Sequence, residues 1–138
     1  MIDHIGMPVS DLARATEFYA KALAPLGYGI VMEVSAAATG HGGAVGFGAP
    51  GKTEDFQSGK PSFWIGEGEP LAGQIHVAFL APSRAAVDAF YRAALAAGGK
   101  DNGKPGLRPH YHENYYAAFV LDLDGNNVEA VCHAPALK

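Results

Sequence analysis

Apolar residues alternate at Ile5, Met7 and Val9, which predicts a β-strand with one buried face; His4 takes the opposite parity. After Ser10 the period changes to that of a helix. Ser10 is suited to cap it, Asp11 favours its positive N-terminus, and Leu12, Ala15, Phe18, Tyr19, Ala22 and Leu23 form its apolar stripe. Pro25 and Gly27 end it. The same pattern returns later. Ile75, Val77, Phe79 and Ala81 alternate, with His76 on the other parity. Ser83 then caps a helix bearing Val87, Phe90, Tyr91, Ala94 and Leu95, which Gly98 and Gly99 close.

The two segments superimpose at a fixed shift. His4 meets His76, Phe18 meets Phe90, Tyr19 meets Tyr91, Leu23 meets Leu95 and Gly27 meets Gly99. A Phe-Tyr pair at a set distance from a His, followed by Leu and Gly, marks an internal duplication. Strands are expected after each helix: 28–36, 43–49 and 61–67 in the first half, 108–113, 115–122 and 126–133 in the second. A tight turn is expected at 123–126, with Gly125 where positive φ is cheap. Each half therefore reads β-α-β-β-β. Three strands after one helix exclude a doubly wound parallel sheet, which needs a helix after nearly every strand. The expected fold is α+β, with two tandem modules (1–71 and 72–138) in one domain.

Composition narrows the function. The 138 residues can bury a real core, and no apolar run approaches the length of a bilayer span. No basic region followed by an apolar stretch suggests a secretory signal. Cys132 is the single cysteine, so no internal disulfide forms, and a reducing, cytoplasmic setting is expected. The net charge is −4, and the one basic stretch, 99–108, reads as a solvated Gly/Pro loop, so no nucleic-acid partner is expected. The Gly-rich segment 39–48 is not followed by a helix that could hold a phosphate, and His41 reads as a loop residue.

The duplication gives His4 a purpose. Two related modules each carry a His on the first strand, on the face away from the helix, and a pseudo-twofold pairing lets both line one concavity. On the last strand Val128, Ala130 and Cys132 share one parity and Glu129 takes the other. A carboxylate within a strand is costly unless paired or coordinated. His4, His76 and Glu129 thus make a two-imidazole, one-carboxylate set for a divalent metal, suited to non-haem Fe(II) and also to Mn, Ni, Co or Zn.

Residues 3–19, 76–91 and 121–131 resemble the vicinal oxygen chelate superfamily, which includes glyoxalase I, extradiol dioxygenases, fosfomycin-resistance proteins and bleomycin-binding proteins. The resemblance implies paired βαβββ modules forming a U-shaped, eight-stranded sheet around a metal, with ligands at the positions of His4, His76 and Glu129. It also implies a homodimer, and leaves open whether modules pair within one chain or between two.

Glyoxalase I-like members add a Glu on the last strand of the first module, where Trp64 stands here; Glu67 is nearby on the other parity. In extradiol dioxygenases a Tyr and a Pro are expected where this chain has Phe119 and Leu123, while Asp122, Gly125 and Glu129 fit. His110 and His112, read as sharing a strand face, are the candidates for proton transfer. Failing them, Tyr115, Tyr116 and His133 remain. Trp64, Phe119, Arg108 and Tyr111 are the candidates for contacting a small-molecule substrate, with Lys104 a further cation for an anionic group. The expected activity is metal-dependent lyase, isomerase or ring-opening chemistry on a substrate that chelates through adjacent oxygens. The alternative is a non-catalytic binding protein of the bleomycin-resistance type.

Overall fold

The computed structural model describes residues 1–50, 59–73 and 75–136. Most of the long loop expected over 49–60, residues 51–58, lies outside them. The first module contains β1 (Ile5–Val9), α1 (Leu12–Leu23), a 3-10 turn (Ala24–Leu26), β2 (Gly29–Val34), a one-turn helix α2 (Ala36–Thr39), β3 (Ala44–Gly48) and β4 (Phe63–Glu67). The second contains β5 (His76–Leu80), α3 (Arg84–Ala96), β6 (Lys100–Leu107), β7 (Tyr116–Leu121) and β8 (Asn127–Cys132).

The eight strands form two four-stranded mixed sheets of identical order, β1-β4-β3-β2 and β5-β8-β7-β6. In each, the module's first strand lies parallel to its last, and the other neighbours are antiparallel. This is the βαβββ repeat expected from the sequence. The turn after β7 also forms as expected, with Gly125 at φ 82°.

Helices α1 and α3 pack on each other, and one core joins the modules. Phe18 and Phe90 occupy matching places in it and are both fully buried. Tyr19, Phe63, Phe79 and Tyr28 meet edge-to-face in sequence across the module boundary, with centroids 5.1, 5.1 and 6.0 Å apart. Tyr19 also donates to Asp122 at 2.5 Å, tying the first helix to the turn between β7 and β8.

Two local expectations are corrected. Helix α1 is capped by Asp11, whose carboxylate accepts from the Arg14 amide at 3.1 Å; the amide of Ser10 donates instead to Asp124 at 3.1 Å. Asp11 is the residue with extended backbone, and so it can fold its oxygen back over the first turn. The strand expected at 108–113 is a tight turn, and the segment read as a solvated loop is strand β6. The amides of Tyr111 and Tyr115 donate to the carbonyls of Arg108 and His112 at 2.9 and 3.1 Å, which closes that turn. Register shifts at Asp101/Gly103 and Gly103/Gly106 let β6 absorb its Gly and Pro residues at a sheet edge.

Candidate metal centre

Alternation sends Met7, Val9, Val77 and Phe79 toward the shared core and turns the intervening residues to the opposite face of each sheet. On the second module that face carries His76, Ala78 and Glu129. Ala78 is directly across from Glu129, and Phe119 flanks Glu129 on its other side. On the first module it carries Gly6 and Trp64 as direct neighbours, with His4 just before β1. Gly6 and Ala78 are repeat mates, so the register puts Trp64 at the position equivalent to Glu129. The first module offers an indole where the second offers a carboxylate. Gly46 pairs with Trp64 from the other side, and a Cβ there would lie 3.0 Å from the indole ring.

Glu129 is 2% exposed and has both oxygens engaged. The Tyr115 hydroxyl donates to Oε1, and Oε2 lies 3.0 Å from His76 Nε2. His76 Nδ1 lies 3.0 Å from the Asn127 carbonyl. A carbonyl only accepts, so Nδ1 carries a hydrogen, and Nε2 is the ring nitrogen turned to the Glu129 carboxylate: it donates to Oε2 when the ring is protonated and presents a lone pair when the ring is neutral. With the ring neutral, two electron-pair donors face one another, a need that a proton or a metal cation can meet. The pair therefore fits a divalent metal by the chemistry of its donors, with the carbonyl behind the imidazole as its outer support.

His4 is oriented in the same sense. Its Nδ1 donates to Asp3 at 2.6 Å, which leaves Nε2 as the ring nitrogen not used by Asp3, and the Lys60 ammonium also binds Asp3. These two partners, His4 first, hold the Asp3 carboxyl below its ordinary range. His4 lines an open concavity of ≈ 500 Å³ with Trp64, Pro8, Ala44 and Glu67. Among the described residues, no group of three or more His, Cys, Asp or Glu converges as a metal cluster within one chain. His76 and Glu129 come together; His4 belongs to the face of the other sheet.

The remaining candidates gather around Glu129. Phe119 stacks on His76, with centroids 6.3 Å apart and ring planes 25° apart, and Arg108 lies 5.5 Å above Phe119. The Arg108 guanidinium donates to the carbonyls of Gly106 and Lys104, both at 2.8 Å, so it braces the bulged strand β6. His110 and His112 sit on the 109–114 turn instead of a shared strand face. The His110 ring is 4.2 Å from Tyr111, and that of His112 is 5.9 Å from His133. Tyr111 and His133 both pack on Tyr115, at 5.1 and 5.2 Å. The histidines thus join the site through Tyr115, which sequence reasoning kept only in reserve. The signal was the Tyr-Tyr pair at the start of a strand, which splits across the sheet: Tyr116 donates to Asp88 of α3 at 2.7 Å, on the side opposite Glu129. Burial and the adjacent Glu129 push the Tyr115 hydroxyl up to about 12, so it remains a donor at neutral pH.

A two-module α+β fold with a His–carboxylate pair on the face opposite its helices defines the class. The family model of the Glyoxalase/Bleomycin resistance protein/Dioxygenase superfamily matches residues 1–130, and the chain belongs to that superfamily. A search of curated protein sequences found no match. Among solved structures, a glyoxalase/bleomycin resistance protein from Albidiferax ferrireducens is 27% identical, with a TM-score of 0.66 over 96% of this chain and 98% of that one. A glyoxalase I mutant from Zea mays is 22% identical (TM-score 0.67); 94% of this chain covers 46% of the maize chain, about half its length. A mutant of the fosfomycin resistance protein FosX from Listeria monocytogenes, complexed with Mn(II) and a dihydroxypropylphosphonic acid, is 17% identical. Its TM-score is 0.64 over 95% of this chain and 88% of that one. At the latter two identities the likeness shows the fold.

Proposed function

We propose that the protein is a divalent-metal enzyme of the glyoxalase/dioxygenase type, acting on a small substrate that chelates the metal through adjacent oxygens. The observation that carries this reading is the His76–Glu129 pair: a buried carboxylate oxygen 3.0 Å from the Nε2 of a half-exposed imidazole. His4 is the third ligand, supplied by a second copy of the chain whose first-module face covers the second-module face of its partner. Two such contacts related by a twofold axis give a homodimer with two equivalent sites. Support comes from the arrangement of one chain, where the helices meet in a shared core and His4 does not join the pair.

Fe, Mn, Ni, Co and Zn all suit this donor set. Held by His76, Glu129 and His4, such a metal would supply Lewis acidity to the substrate oxygens. Phe119 of one copy and Trp64 of the other wall the site with flat apolar faces. His110 or His112 transfers the proton from the rim, and Arg108 and Tyr111 border the entrance. The buried free thiol of Cys132 suits a reducing, cytoplasmic setting.

A second reading, ligand sequestration without turnover, is favoured by one observation: Trp64 fills the place equivalent to Glu129 with an aromatic surface. Elemental analysis of protein purified without chelator separates the two. The enzyme reading expects about one divalent metal per chain, lost in His76→Ala and Glu129→Ala proteins that remain folded. Wild-type protein that takes up no divalent metal at any concentration refutes it.

A further inference from the structure

Beyond the three ligands, the geometry points to Tyr115 as a positioning residue that makes Glu129 a one-oxygen metal donor. This rests on the metal reading above. A strand carboxylate presents two oxygens and can bind a metal through either or both. Here the Tyr115 hydroxyl engages Oε1, and only Oε2 is aimed at the His76 side. A donor already committed to Oε1 raises the cost of rotating that oxygen onto the metal, and it stabilises the carboxylate anion without competing for the coordination position.

Tyr115 is held for this task from several directions. Its carbonyl accepts from the Arg108 amide at 2.7 Å, and its amide donates to the His112 carbonyl at 3.1 Å. Its ring is packed between Tyr111 and His133. The neighbouring Tyr116 is anchored to α3 on the opposite side of the sheet. The whole 109–114 turn, with its two histidines, thus ends by fixing one phenol against one carboxylate oxygen. Tyr115 and Glu129 stand fourteen positions apart in the sequence, and the antiparallel pairing of β7 with β8 brings them to one face.

Cobalt(II) is the probe, because its visible absorption reports coordination number as well as binding. In Tyr115→Phe protein both carboxylate oxygens are free. Cobalt affinity should fall by about 10–100-fold. The visible absorption should weaken as the second oxygen enters the coordination sphere. A purely structural role for the phenol would lower apo-protein stability without moving that spectrum. Tyr115→His and Tyr115→Leu, titrated in parallel, separate hydrogen-bond donation from ring packing: His supplies an N–H and should stay nearer wild type, and Leu should follow Phe. Equal cobalt affinity and spectra for donor and non-donor variants overturn the role of Tyr115 while leaving the metal reading standing, whether or not the Phe variant folds. Wild-type protein that binds no cobalt overturns both.

Discussion

Asp122 is a carboxylate in the interior, 6% exposed, and is kept there by donors on every side. Its oxygens accept from the amides of Asp124 and Asn126, the Asn126 side chain and the Tyr19 hydroxyl. Only the last comes from the other module. Tyr19→Phe removes that donor and should cost about 1–3 kcal/mol in urea unfolding at neutral pH. Burial, with the Asp122 carboxylate next, pushes the Tyr19 hydroxyl well above its ordinary value. The folded value then exceeds the unfolded one. The contribution is intact below about pH 10 and drains away at higher pH, where the unfolded chain releases a proton that the folded chain keeps. The stability gap between wild type and Tyr19→Phe should narrow above that pH; a constant gap would show that the phenol is not the titrating group. On the proposed reading, His110→Ala should lower turnover by about 100-fold while metal affinity holds, with His112→Ala doing less. Steady-state kinetics beside metal titration checks both. Unchanged kcat in both variants removes the imidazoles and returns proton transfer to Tyr115 or His133.

Among the elements, the helices were the most legible. Their apolar stripes and the repeated Phe-Tyr pair gave α1 and α3 their positions, and the two Phe side chains are 1% and 0% exposed. Phe18→Ala or Phe90→Ala should each destabilise by about 3–5 kcal/mol, measured by denaturant unfolding. A loss below about 1 kcal/mol at both positions contradicts their matched packing. Strand β6 and the 108–113 turn are less legible, whereas β7 forms within the expected 115–122. Gly and Pro normally interrupt strands, so the basic segment before Arg108 looked like a loop. The alternating aromatic residues after it looked like a strand. Bulges at Asp101/Gly103 and Gly103/Gly106 let β6 keep its Gly and Pro residues, and backbone hydrogen bonds from Tyr111 to Arg108 and from Tyr115 to His112 close the turn that follows; no local pattern announces either. That error moved His110 and His112 off a strand face, and with them the argument that both face the metal. Ser10 and Asp11 are both residue types that cap helices; here Asp124 engages Ser10 and leaves Asp11 to accept from Arg14, a tertiary contact that local sequence does not announce.

For the molecule as a whole, the repeat told most. It fixed two βαβββ units and the parity of His4, His76 and Glu129, and the register of the parallel strand pairs then set Trp64 opposite Glu129 in the pseudosymmetry. Sequence could not tell which module faces which, because the same two βαβββ units can pair within a chain or between chains. Interior contacts of Phe63 with Phe79 and of Tyr19 with Asp122 pack the helix-covered faces together within one chain, and on the proposed reading the ligand-bearing faces are left for a partner. A homodimer should therefore be seen by light scattering, and the metal site should be shared. Coexpression of His4→Ala with Glu129→Ala chains tests the sharing directly. Each variant alone lacks a ligand at both of its sites. A mixed dimer carries one intact site, with His4 from the Glu129→Ala chain and His76 and Glu129 from the His4→Ala chain. Random pairing in a twofold dimer should thus restore about a quarter of the wild-type metal-binding sites. A coexpressed mixture that binds no more metal than the two variants purified separately would show that the site is not built between chains.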